Sequence, residues 1–275
     1  MAATIVMRRA SSGQTARVDA PIGVLDSGLG GLSIVRALQS SLPNERILYY
    51  ADSAFCPYGE RDNAFIRQRT LSIANTLEEQ GAKAIVIACN TACAASLDAV
   101  REKTSVPVIG LEPAVKPAAA LSRTGRIAVF ATPRTIASER LASLVARYGQ
   151  GCAVELIAAP DWAGIVERGE TATEQARNAV TSLVRPALGR GADVLVLGCT
   201  HYPFLGGLIR EAAGPEVAIV DSGAAIARRT RQILDEEGML AEHALPEPHF
   251  SLLTSSPDAS PVVRQAMQML AMPFS

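Results

Sequence analysis

The chain has 275 residues and a formal net charge of −1; 48% of it is apolar and only 4% aromatic. That is room for one large domain or two smaller ones around an aliphatic core. With no basic stripe there is no sign of general nucleic-acid binding, and no apolar run reaches the roughly 18 residues that a membrane helix needs.

The first twenty residues, MAATIVMRRASSGQTARVDA, are small, polar and weakly basic, without the apolar stretch of an export signal. They read as a flexible extension, and the compartment reads as the cytoplasm. IGVLD (22–26) is a strand, and LGGLSIVRALQSSL (29–42) is a helix entered through glycines. RILYYA (46–51) is a strand, followed by a long helix over 62–80, the strand AIVIAC (84–89), a helix over 91–104 and the strand VPVIG (106–110). A second series opens with RIAVFA (126–131), after which Thr132 and Pro133 make a good helix start, with threonine as N-cap and proline in the first turn. AVELIA (153–158), DVLVLGC (193–199) and EVAIVD (216–221) are further strands. The tail LPEPHFSLLTSSPDAS (245–260) is loop-like around one short strand, and a last helix near 260–271 packs back on the first lobe.

Apolar strands alternating with helices predict an α/β fold of mostly parallel sheets covered on both faces, with ligands beyond the carboxyl ends of the strands. The chain also echoes itself. AIVIACNT resembles VLVLGCTH, and LDSG (25–28) resembles VDSG (220–223), which predicts two similar lobes facing each other across a cleft. EPAVKP (112–117) is the expected first crossing and DSGAA (221–225) the return. The expected division is an extension over 1–20, a first lobe of 21–112 plus 222–275, and a second lobe of 113–221.

The five cysteines are Cys56, Cys89, Cys93, Cys152 and Cys199, an odd number at irregular spacing that reads as free thiols. A strand-end cysteine on its own often does no more than fill space. Cys89 and Cys199, however, stand at equivalent ends of two similar strands, each before an expected helix N-terminus that would lower a thiol's pKa. Two thiols from facing lobes suit inversion of a carbon bearing a weakly acidic hydrogen: a base on one face, an acid on the other, and no required cofactor. Asp26 can serve Cys89, or be a turn residue. His201 can serve Cys199, with Glu167 either orienting it or lying solvated on a helix. Ser27, Asn90, Thr91 and Thr200 can hold a carboxylate or an ammonium group. The glycine-rich DSGLGG (26–31) can cradle an anion, and PYGERD (57–62) reads as a turn. No metal is expected: a Cys89/Cys93/Cys199/His201 set matches no structural zinc module. Cys56 and Cys152 read as packing residues, and His243 and His249 as surface groups.

GVLDSGLGGLSIVR, YYADSAFCPYGERD, IVIACNTACA, VIGLEPAVKPA, ATPRTIAS and LVLGCTHYPFL, in this order, resemble the glutamate racemases, cofactor-independent amino-acid racemases of bacterial cell-wall synthesis. The resemblance runs from about Pro21 to about 235. It implies that Cys89 and Cys199 are paired acid/base residues, with Asp26 beside the first and His201 with Glu167 beside the second. It places Asp26, Ser27, Tyr58, Gly59, Asn90, Thr91 and Thr200 around the substrate, with Pro57 shaping its loop and Thr132 and Thr135 at the border. It also implies L- and D-glutamate as substrates, no cofactor, and supply of D-glutamate for peptidoglycan; a homodimer is expected only because dimers are the commonest homo-oligomers. The chain departs from the family pattern at Leu25, where an aromatic is common, and in APDWAGIVERGE, where Glu170 competes with Glu167 for the role beside His201. A related racemase acting on aspartate or a hydantoin is the nearest alternative; a two-lobed amino-acid sensor would need no paired thiols.

Overall fold

The computed structural model describes residues 18–243 and 249–272. Most of the expected flexible extension (1–17) and part of the tail (244–248) therefore lie outside the described residues. Val18 and Asp19 lie inside them, and their carbonyls accept hydrogen bonds from Lys83 and Arg46.

Among the described residues nine strands form two sheets. The first holds β1 (Ile22–Asp26), β2 (Ile47–Ala51), β3 (Ala84–Ile87), β4 (Val108–Gly110) and β9 (Phe250–Thr254), in the order β4-β3-β1-β2-β9. The second holds β5 (Arg126–Ala131), β6 (Ala153–Ala158), β7 (Val194–Leu197) and β8 (Ala218–Val220), in the order β6-β5-β7-β8. Every pairing is parallel. The inner strands β1, β3 and β7 are buried throughout, as their unbroken apolar runs require, whereas the edge strands β6 and β8 are half-exposed.

Helices α1 (Leu32–Ser41), α2 (Asn63–Glu79) and α3 (Asn90–Lys103) cover the first sheet; α4 (Val115–Leu121), α5 (Pro133–Ile136), α6 (Glu139–Tyr148), α7 (Pro160–Glu167), α8 (Glu174–Gly189) and α9 (Gly206–Ala213) belong to the second. α10 (Gly223–Glu236) and α11 (Ala259–Ala271) return to pack on α1. Local signals set the helix starts. Asp62, Thr132, Ser138, Thr173 and Asp258 each accept a backbone N–H as N-cap, and Pro133 opens α5 as its sequence predicts. The chain leaves the first sheet between β4 and β5 and returns between β8 and β9. The two crossings touch: Ser222 Oγ donates to the Glu112 carbonyl at 2.6 Å.

The sheets share one topology. The order β4-β3-β1-β2 matches β8-β7-β5-β6, with β9 added at the far edge of the first sheet. Leu25 pairs with Ile87, and Phe130 pairs with Leu197. Just beyond, Ala88 N–H reaches the Leu25 carbonyl and Gly198 N–H the Phe130 carbonyl, both at 2.7 Å. Asp52 N–H to Asp26 O and Ala159 N–H to Ala131 O follow, both at 3.0 Å. The echo AIVIACNT/VLVLGCTH is therefore topological, and Cys89 corresponds to Cys199. The echo LDSG/VDSG is not: the counterpart of Asp26 is Ala131 at the end of β5, not Asp221 after β8.

Candidate active site

Both thiols sit two residues past the end of an inner strand, where the chain leaves its sheet. Cys89 is the N-cap of α3; its Sγ accepts the Ala92 N–H at 3.4 Å and lies 3.8 Å from Ser27 Oγ. Cys199 leads instead into a turn and a 3-10 segment, Tyr202–Leu205, with α9 starting only at Gly206. The expected helix N-terminus thus exists for Cys89 and not for Cys199. Nor does it lower the Cys89 pKa. Burial and the neighbouring Asp26 push that thiol well above its ordinary value, and the Ala92 N–H only partly offsets them.

Each thiol has its own helpers. Next to Cys199, His201 Nδ1 lies 3.5 Å from Sγ, and Nε2 lies 2.6 Å from Glu167 Oε1. Burial opposes charge on His201, but Cys199, Cys56 and Glu167 outweigh it and hold the imidazole's pKa well above its ordinary value. Glu167 is half-buried, and although desolvation opposes its charge, His201 and the Leu29 N–H keep its carboxyl below the usual range. Glu170 is paired with exposed Arg168, so the geometry puts Glu167 and not Glu170 at the imidazole. Glu167 ends α7, which Trp162 anchors by stacking on Phe130 (5.2 Å between centroids) and meeting Tyr202 edge-on (4.9 Å). From α11, Gln265 donates to the Val166 and Glu167 carbonyls at 3.0 and 2.6 Å.

The glycine-rich loop meets this group directly. Leu29 N–H donates to Glu167 Oε1 at 2.6 Å. A Cβ on Gly28 would fall 2.2 Å from that oxygen, and one on Gly30 would fall 2.4 Å from His201 Nδ1. The loop does cradle an anion, as its sequence suggests, but the anion is the protein's own carboxylate.

Asp26 is fully buried. Its carboxylate accepts from Ser27 N–H at 2.6 Å, Ser27 Oγ at 3.3 Å and, from the other lobe, Thr200 Oγ1 at 3.1 Å. Burial raises its pKa from 3.8 to about 6, with His201 pulling the other way. Thr91 bridges to Thr132 and Thr135 across the lobes at 3.0 and 3.2 Å. Gly59 faces Thr132, where a Cβ would come within 3.3 Å. The Tyr58 hydroxyl donates to Asp52 at 2.5 Å, and Asp52 is salt-bridged to Arg69. Asn90 Oδ1 is buried without a hydrogen-bond partner among the described residues. A cavity of about 380 Å³ bordered by Ser33, Asn90, Cys199, Thr200, Pro203 and Ser222 reaches the second thiol but not the first.

One reading of the cysteines needs correction. Cys56 is no mere packing residue: its Sγ, a Glu167 oxygen and a His201 nitrogen all lie within 4.8 Å of one another. Cys93 does not join a cleft cluster, because its Sγ donates to Ile87 O at 3.3 Å and accepts Leu111 N–H at 3.1 Å inside the α3–β4 packing. Cys152 packs against the second core as read, and buried Leu25 fills the first. His243 is exposed, but His249 is half-buried and its carbonyl accepts the Ile47 N–H at 2.8 Å beside β9. Sequence reasoning missed Cys56, the Leu29 N–H and Gln265. Only FCPYG carried a signal, in its chemistry-bearing residue before a turn.

The profile of the Asp/Glu/Hydantoin racemase family matches residues 31–230. The chain belongs to this family. The glutamate racemase of Methylococcus capsulatus is 48% identical over 226 residues, 82% of this chain and 83% of the relative. A glutamate racemase structure from Bacillus anthracis superposes with a TM-score of 0.83 at 33% identity, covering 93% of this chain and 96% of that one. The Escherichia coli glutamate racemase, solved with L-glutamate and the activator UDP-MurNAc-Ala, superposes with a TM-score of 0.78 at 33% identity, covering 91% and 94%. This member of the racemase family is therefore an isomerase. Its paired thiols stand at the strand ends where its fold directs ligands.

Proposed function

We propose that the chain interconverts L- and D-glutamate by moving a proton between Cys89, Cys199 and the substrate α-carbon. The observation that carries this reading is the topological equivalence of the two thiols, each with its own charged helper. One thiolate removes the α-hydrogen, and the electron pair stays on the flattened carbon. The opposite thiol gives its proton to the other face. Each turnover moves one proton from one side of the cleft to the other, and the reverse reaction restores it. Asp26 acts on Cys89 and the His201–Glu167 pair on Cys199. The raised pKa of Cys89 suits a proton donor at rest; the substrate's ammonium group, entering beside a buried thiol, favours its thiolate.

Ser27, Asn90, Thr91 and Thr200 hold the substrate's charged groups, with Tyr58 and Gly59 shaping the wall beside Thr132. The orphan Asn90 oxygen supports such a role, because a buried acceptor needs a donor and an ammonium group supplies one. The names of the relatives support glutamate over aspartate. Within the same proposal the lobes 21–112 plus 222–275 and 113–221 enclose the substrate. The enzyme works as a cytoplasmic homodimer supplying D-glutamate for peptidoglycan. Its support is the resemblance, the bacterial relatives, and the fact that among the described residues no helix is long and apolar enough to cross a membrane.

The test is α-hydrogen exchange in deuterated water, with L-glutamate and no added cofactor, followed by NMR and optical rotation together. Deuterium uptake with racemisation is the expected outcome, faster on L-glutamate than on L-aspartate. Cys89→Ala and Cys199→Ala should each abolish it, and the serine variants should lose about 10²–10⁴-fold, the usual worth of a positioned acid or base. Full activity in either alanine variant would sink the mechanism.

A further inference from the structure

We infer that Cys56, Glu167 and His201 form an inhibitory site for a borderline-soft divalent cation, of which zinc is the type. The three donors come from distant parts of the chain: the loop after β2, the end of α7 and the turn after β7. Their ligand atoms nevertheless all lie within 4.8 Å of one another. Thiolate, imidazole and carboxylate are the zinc donor set, and three protein ligands plus a solvent molecule complete a tetrahedron. Hard cations such as magnesium and calcium prefer all-oxygen shells and do not fit it. Cys56 and Glu167 are only half-buried, which leaves the cation a way in. Gly28, which has no side chain, lets Cys56 and Glu167 meet: a Cβ there would fall 2.7 Å from Sγ and 2.2 Å from Oε1.

The cation takes the place of the proton between His201 Nε2 and Glu167 Oε1, now 2.6 Å apart. With zinc–ligand bonds of about 2.0–2.1 Å at a tetrahedral angle, that gap opens to about 3.3 Å. The Nε2 proton and the Cys56 thiol proton go to solvent. The imidazole then keeps one proton, on Nδ1, facing Cys199 at 3.5 Å. The metal holds the ring and takes the Glu167 oxygen that positions it, so His201 is no longer free to serve that thiol. Metal binding stands apart from the activity; only the inhibition rests on the proposed reaction.

The experiment uses the whole chain, stripped with a chelator, dialysed, and titrated without oxygen with Co(II) alone. Thiolate-to-cobalt charge-transfer absorption saturating at one equivalent is expected in the wild type and in the C89A/C199A double variant. C56S and C56A should lose that absorption and at least about tenfold in affinity. Circular dichroism of both variants separates a lost ligand from a lost fold. Absorption that survives C56S, vanishes in C89A/C199A or never develops in the wild type overturns the site. Zn(II) should then stop racemisation by the wild type, and excess chelator should restore it. Binding with full turnover overturns the inhibitory role. A chain inert on glutamate before any metal is added speaks against the proposed reaction, not against the site.

Discussion

Burial lifts the Asp26 carboxyl from 3.8 to about 6, so the folded protein binds a proton there more tightly than the unfolded chain does. Stability is therefore unaffected by this group below about pH 4 and is lost as pH rises from about 4 to about 6. At about 1.4 kcal/mol per pKa unit, the loss above pH 6 is on the order of 3 kcal/mol. Asp26→Asn should therefore raise stability by that order at pH 8 and by little at pH 4, while abolishing turnover. Thermal melts at both pH values check it, and an equal gain at both would show that ionisation is not the cause. His201 is also raised, so its stabilisation is complete below 6.5 and is lost as pH rises through its folded value. The thiols and Asp26 were legible because each stands within two residues of a strand end, and His201 because it follows Cys199 by two residues. Cys56 was not, because Glu167 and His201 are far from it in sequence and only the fold brings the three together.

The element that carries most of this site is the glycine-rich entry to α1. Its backbone passes so close to the second lobe that side chains are excluded at two positions. A Cβ at Gly30 would fall 2.4 Å from His201 Nδ1, whereas one at Gly59 would meet Thr132 only at 3.3 Å. Gly30→Ala should displace the imidazole and lower kcat by at least about 10²-fold, within the range of a lost acid/base contribution. Gly59→Ala should keep kcat within a few-fold. Steady-state kinetics on both variants decide it; equal effects would mean that the contact at His201 is not what matters. Strand positions were readable from unbroken apolar runs, and Thr132–Pro133 from capping chemistry alone. The turn after Cys199 was not, since THYPF carries the polar and proline signals of an α-helix start yet winds as a 3-10 segment first. The glycine loop's true partner was equally hidden, because a run of N–H groups does not say which anion fills it.

As a whole the molecule is one topology used twice and then made unequal. The register places Asp26 opposite Ala131 and Thr91 opposite His201, so the two thiols are alike in position and unlike in company. That inequality cannot be read from the repeated motif, which shows only what the lobes share. The lobes are joined where the chain crosses, and the Ser222 hydroxyl to Glu112 carbonyl bond ties one crossing to the other at 2.6 Å. Ser222→Ala should cost about 1 kcal/mol, a typical net hydrogen bond. In a chain this large that lowers Tm by about 2–4 °C. Calorimetry reads the change, and an unmoved Tm would mean that the crossings are held elsewhere. The chain's single tryptophan, Trp162, lies wholly within the second lobe, on the helix that ends at Glu167 and in edge contact with Tyr202 beside His201. Its fluorescence is consequently a local reporter: emission follows first the helix that ends beside His201. Denaturation traced by that emission coincides with circular dichroism only if both lobes unfold together.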